Sequence, residues 1–171
     1  MAFFSRWFRP KLYKEQRTGI EFPSRLGDYK RGKVKCYEAE ANADGMMVEY
    51  RSKDAEVTVF VRALEDENNK TSAEFLNESL ACIKDLEAQG KENYSNIKFY
   101  AFCPDKERPG WNSAAFTSNS ANHFIVSFIY CKVASGNLVK IRATTPNTKN
   151  ELLQSFIKNI QECVDNAPIK A

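Results

Sequence analysis

A single histidine, His123, stands in a chain of 171 residues. That scarcity excludes a histidine cluster for a metal ion and leaves any Ser or Cys nucleophile one imidazole to serve as its base. Glycine is sparse as well. Its seven residues are scattered singly, with no Gly-x-Gly-x-x-Gly and no Gly-Lys-Ser/Thr, so the common phosphate-cradling loops are missing. No segment approaches the ~20 uninterrupted apolar residues of a spanning helix. The best candidate, residues 124–133, has the length of a strand. The five cysteines (36, 82, 103, 131, 163) are odd in number, widely spaced and without Cys-x-x-Cys, which excludes a zinc-ligand run. Four of them lie inside apolar patterns, where Cys acts as a small hydrophobe, and unpaired thiols in this number favour a reducing compartment. Arg6 and Arg9 interrupt the N-terminal apolar run before it reaches signal-peptide length. A cytoplasmic protein is expected, peripheral at the membrane if it meets one at all.

What is present is ordinary globular material: 43% apolar, 12% aromatic and 27% charged residues. A chain of this size can bury roughly 70% of the surface its unfolded form exposes, so no structural metal, disulfide or cofactor is expected. Charge is unevenly spread. Residues 1–35 carry ten basic and three acidic side chains, and residues 36–171 carry 15 and 19. The expected division is a basic, aromatic N-terminal lead over residues 1–20, read as an appendage, and one α/β domain over 21–171.

Alternation of period two predicts strands at 29–37, 46–50, 56–62, 97–103, 114–118, 123–133 and 138–145. Turns at Asn42-Ala43-Asp44-Gly45, Ser52-Lys53-Asp54 and Ala134-Ser135-Gly136-Asn137 join them. In 56–62 the valines 57, 59 and 61 share one face, whereas both faces of 123–133 are mostly apolar, so each side of the sheet must be covered. Two amphipathic helices are predicted to cover it. One follows the capping box Thr71-Ser72-Ala73-Glu74 and stops at Gly90; the other follows Thr148-Lys149-Asn150-Glu151, with a stripe of Leu152, Leu153, Phe156, Ile157, Ile160, Cys163 and Val164. The expected fold is α+β: an antiparallel sheet of six to seven strands between two helices, in the order βββα then ββββα.

The run Phe22-Pro23-Ser24-Arg25-Leu26-Gly27-Asp28-Tyr29-Lys30-Arg31-Gly32, with Tyr37-Glu38, Val48-x-Tyr50 and Ala55-x-Val57-Thr58-Val59-Phe60-Val61, resembles the opening of a group of small uncharacterised bacterial proteins. The order of elements resembles, in topology alone, the fold shared by the extrinsic PsbP subunit of the photosynthetic oxygen-evolving complex and a Ran-binding nuclear import factor. That likeness implies an α/β/α sandwich and a role as a binding or assembly partner, and it carries no site residue across, because fold does not fix function.

The lead supplies the most specific signal. Phe3, Phe4, Trp7 and Phe8 fall on one face of a helix, with Arg6, Arg9 and Lys11 beside them, the pattern of an interfacial membrane segment or of a groove-docking one. Self-packing of these rings is the plainer alternative. Trp111, after Pro109-Gly110, is a second candidate anchor, set against folding back onto the sheet. Lys30, Arg31, Lys33 and Lys35 continue the basic stretch, positions 31, 33 and 35 sharing a face that reads as an edge strand protected from pairing. A pI near 8.5 and the lack of a recognised motif disfavour nucleic acid. The acidic groups Glu65-Asp66-Glu67 and Asp105-Lys106-Glu107 read as solvated loops.

The expectation is therefore a non-enzymatic binding or adaptor protein. Its contact residues are Phe3, Phe4, Arg6, Trp7, Phe8, Arg9, Lys11 and Trp111, and its counterpart is a protein partner or a peripheral anionic membrane. The rival is a small enzyme or ligand-binding domain with a pocket between sheet and helix, using His123 with Cys131, Cys103 or another nearby Cys.

Overall fold

Valines 57, 59 and 61 alternate with Thr58, Phe60 and Arg62, and a strand of that pattern needs one dry face. It finds one near the middle of a long sheet. The computed structural model describes residues 11–37, 45–63, 94–104, 108–120, 123–146 and 150–168, with backbone alone at 94–97, 99–104, 120 and 123. The strands are β1 (Leu12–Lys14), β2 (Glu21–Pro23), β3 (Arg25–Leu26), β4 (Tyr29–Tyr37), β5 (Gly45–Arg51) and β6 (Glu56–Ala63). β7 (Tyr94–Pro104), β8 (Asn112–Ser120), β9 (His123–Ala134) and β10 (Asn137–Thr145) follow, then helix α1 (Glu151–Asp165). β1 and β2 form a small hairpin; the rest build an eight-stranded antiparallel sheet in the order β3-β4-β5-β6-β10-β9-β8-β7.

All seven expected strands are present, with ends shifted by a few residues. Of the added strands, β1 lies within residues 1–20, which the sequence reads as an appended lead, and β2 and β3 follow directly after it. β1 pairs across residue 20 with β2, and Ile20 and Phe22 are fully buried in the core. The turns follow local chemistry. Ser135 and Gly136 link β9 to β10 with both φ positive (48° and 70°), the handedness that matches strand twist in a two-residue hairpin. Between β5 and β6, Ser52 Oγ accepts from the Asp54 and Ala55 amides.

One face of the sheet is covered by α1. Leu153, Phe156, Ile157, Ile160 and Val164 meet Val48, Tyr50, the three β6 valines, Val139 and Ile141. Phe156 stacks on Tyr29 at 4.1 Å between centroids and lies 5.1 Å from Tyr50. The helix differs from expectation in three places. Its N-cap is Asn150, whose Oδ1 accepts from the Leu153 amide at 2.9 Å, two positions after the expected cap at Thr148, which lies outside the described residues. Leu152 lies outside the stripe, exposed, because the helix turns it away from the sheet; Gln161 lies inside it. The opposite face is buried too: Phe116, Ile129 and Cys131 are inaccessible. One helix is described where two were expected, and the segment predicted to form the other, after Thr71, lies outside the described residues.

β4 departs from simple alternation. Its register with β5 shifts between Arg31 and Val34, a β-bulge at Gly32, where the chain can bend without a side chain to place. Arg31 is thereby turned to the α1 face and buried, opposite Tyr50. The expected row of 31, 33 and 35 is thus corrected: Lys30, Lys33 and Lys35 share the other face, all exposed.

Candidate contact surface

The first described residues are fastened to the core by Glu15. Its carboxylate, 4% exposed with the residue as a whole, accepts from the Thr18 amide and the Thr18 hydroxyl, each at 2.6 Å, and from Arg17 Nε at 3.3 Å. Burial pushes the carboxyl up, but the bonds from Thr18 and Arg17 together outweigh it and hold it below its ordinary range. Gly19 closes this loop with φ +73°, and a Cβ there would meet Pro168 at 3.0 Å. The hairpin is then tied to the sheet. The Arg31 guanidinium donates to the Phe22 carbonyl and lies 6.0 Å from the Tyr13 ring centroid. Tyr50 Oη donates to the Pro23 carbonyl at 2.8 Å, and burial raises that phenol well above its ordinary pKa, so it stays a donor.

These ties fix where the lead leaves the domain. The Lys11 carbonyl accepts from the Ser24 amide at 2.7 Å, and the Ser24 carbonyl from the Arg31 amide at 2.9 Å. Lys11 is exposed and sits two backbone steps from β4, at the β3-β4 edge of the sheet. On that edge Arg25 stands opposite Lys30, with Lys33 and Lys35 following on the same face and exposed Tyr37 at the strand end. Lys30, Lys33 and Lys35 form no ion pair among the described residues. The bulge that groups them was missed in the sequence; Gly32, a glycine inside a strand, was the available sign. Phe3, Phe4, Arg6, Trp7, Phe8 and Arg9 lie outside the described residues.

Trp111 is corrected: it is no surface anchor. The ring is 1% exposed, folded under the end of α1, with Nε1 donating to Asp165 Oδ1 at 3.0 Å. Lys132 Nζ bonds the same carboxylate at 2.7 Å and lies 5.9 Å from the Trp111 centroid, while Arg108 reaches Glu162 at 2.7 Å and Asp165 at 3.5 Å. The last turn of α1 contains no basic residue, so these cations from the rest of the fold offset the negative end of the helix.

The residues of the rival reading are not brought together. Cys131 is eight positions along β9 from His123, about 26 Å at strand spacing. Cys103 pairs with Ser113 whereas His123 pairs with Ser120, which puts them about 23 Å apart along β8. A groove of about 580 Å³ does run between the β1-β2 hairpin and the end of α1, lined by Leu12, Glu21, Pro23, Leu26, Glu162 and Cys163. Burial, with Glu162 and Glu21 nearby, raises the Cys163 thiol, so it rests protonated rather than as a nucleophilic thiolate. Among the described residues no group of His, Cys, Asp and Glu could hold a metal, and no helix is long and apolar enough to cross a membrane.

The antiparallel sheet with α1 on one face has the PsbP-like α/β fold. The chain is similar to the solution structure of cyanobacterial PsbP (CyanoP) from Synechocystis sp. PCC 6803, with a TM-score of 0.56 over 89% of each chain and 9% sequence identity. At that identity the likeness is one of fold. No protein-family model and no curated protein matches the sequence.

Proposed function

We propose that this chain is a non-enzymatic binding or adaptor protein whose contact element is the N-terminal lead, with Phe3, Phe4, Trp7 and Phe8 as apolar anchors and Arg6, Arg9 and Lys11 as cationic contacts. The observation that carries this reading is the anchoring of the lead's root. Glu15, Thr18 and Arg31 pin residues 12–23 to the core, so a ten-residue aromatic and basic segment issues from a fixed point beside an exposed basic edge. The close packing of the α1 stripe on the sheet among the described residues, and the separation of His123 from Cys131 and Cys103, favour it over the pocket enzyme. Its place is the cytoplasm, at a partner protein or at the inner membrane surface.

The test is photo-crosslinking in cells from a reactive amino acid at Phe4 or Trp7, against the same probe at exposed Leu152. The expected result is a discrete adduct from the lead positions that weakens when Arg6 and Arg9 become Gln. Equal labelling from all three positions would overturn the proposal.

A further inference from the structure

We propose that the β3-β4 edge is a second, folded contact for an anionic phospholipid surface, formed by Lys30, Lys33 and Lys35 with Arg25. This rests on the reading above, since it names the surface that the lead would meet. Three observations carry it. The bulge at Gly32 places the three lysines on one face of one strand, over about 16 Å. All three are exposed, and none is neutralised by a carboxylate among the described residues, whereas Arg51 on the neighbouring strand is held by Glu49 and Glu56. The lead emerges at this same edge, two backbone steps away through Ser24.

The chemistry of the two parts selects the partner. A row of lysines alone would suit any polyanion. Lysines on an edge from which, through Lys11, runs a short stretch of sequence carrying four aromatic residues suit a surface that offers phosphates outside and hydrocarbon just beneath, because aromatic side chains need an apolar layer that a nucleic-acid backbone or an acidic loop does not supply. Exposed Tyr37, at the end of the row, has the amphipathic character favoured at that boundary. Each lysine near an anionic leaflet contributes roughly a fivefold factor in affinity at moderate salt.

The experiment is flotation of the full chain with phosphatidylcholine vesicles and with vesicles in which about a third of the lipid is phosphatidylserine, at low and physiological salt. Four proteins are compared: wild type, a deletion of residues 1–10, the triple variant Lys30→Gln, Lys33→Gln, Lys35→Gln, and Lys98→Gln on β7 at the far edge of the sheet. The substitutions are at exposed positions, and thermal melting checks that each variant folds. The expected result is binding to the anionic vesicles alone, reduced at least tenfold in the triple variant and unchanged in Lys98→Gln. If the triple variant binds like wild type while the deletion does not, the edge has no role and the lead alone is the contact, so this inference falls and the proposed function stands. If wild type binds neither vesicle, or binds a single-stranded oligonucleotide more tightly than either, the lipid surface is the wrong partner and the inference falls; crosslinking from the lead then decides the proposed function independently.

Discussion

Glu15 and Trp111 show how single polar groups set the shape of this chain. Glu15 is a carboxylate removed from water and stabilised by three hydrogen bonds from the loop it closes. Glu15→Gln keeps the shape but weakens charge-assisted bonds, and should cost about 1–2 kcal/mol in urea unfolding at neutral pH. The pH dependence has a definite sign. The folded carboxyl titrates below its ordinary range, so its contribution is complete above the unfolded value of about 4.3 and is lost as pH falls through the folded value. Wild type and Glu15→Gln should therefore converge in stability in acid, which unfolding at pH 7 and below pH 4 would show. Trp111→Phe retains most of the ring's packing while removing the bond to Asp165, so a loss of about 1 kcal/mol is expected, without any change in vesicle flotation. Burial of Trp111 follows from long-range partners, Asp165 and Lys132, that its flanking Pro109-Gly110 does not announce.

At the scale of elements, the hairpin β1-β2 is the least embedded piece. Its inward side chains, Tyr13 and Phe22, stand 6.5 Å apart between centroids, and its main tie to the sheet is Arg31. Arg31→Ala leaves the Phe22 carbonyl without that donor and frees the ring of Tyr13. Amide hydrogen exchange over residues 12–23 should accelerate at least tenfold, with β9 and β10 unchanged. The regular elements were legible in sequence, because α1 and the seven expected strands declare themselves by period. The hairpin was not: three-residue strands give no periodic signal, and their partners are set by Arg31 and Tyr50, far along the chain. The bulge in β4 was hidden for a related reason. A one-residue shift exchanges inward and outward positions, and its sequence trace is the single Gly32.

For the whole molecule, the boundary of the lead matters most. If the lead serves contact rather than packing, as proposed, deleting residues 1–10 should leave the thermal midpoint within a few degrees of wild type, because the ties of Glu15 to Thr18 and of Arg31 to Phe22 all lie after them. Deleting 1–18 removes β1, Glu15 and Thr18 together, leaves Ile20 and Phe22 without their cover, and should lower the midpoint by about 10 °C or more. Differential scanning calorimetry of the two deletions separates the cases.

The sequence by itself determined seven of the ten described strands, helix α1 and an antiparallel sheet with helix packed on it, since strand alternation, the apolar stripe of α1 and the turn residues are local properties written at fixed spacings. It also determined that the net positive charge lies in the first 35 residues. Only the tertiary structure decided where that charge points. Burial of Arg31, exposure of Lys30, Lys33 and Lys35 and the folding of Trp111 beneath α1 depend on register and on partners distant in the chain, and a shift of one residue in pairing reverses which side chains meet solvent.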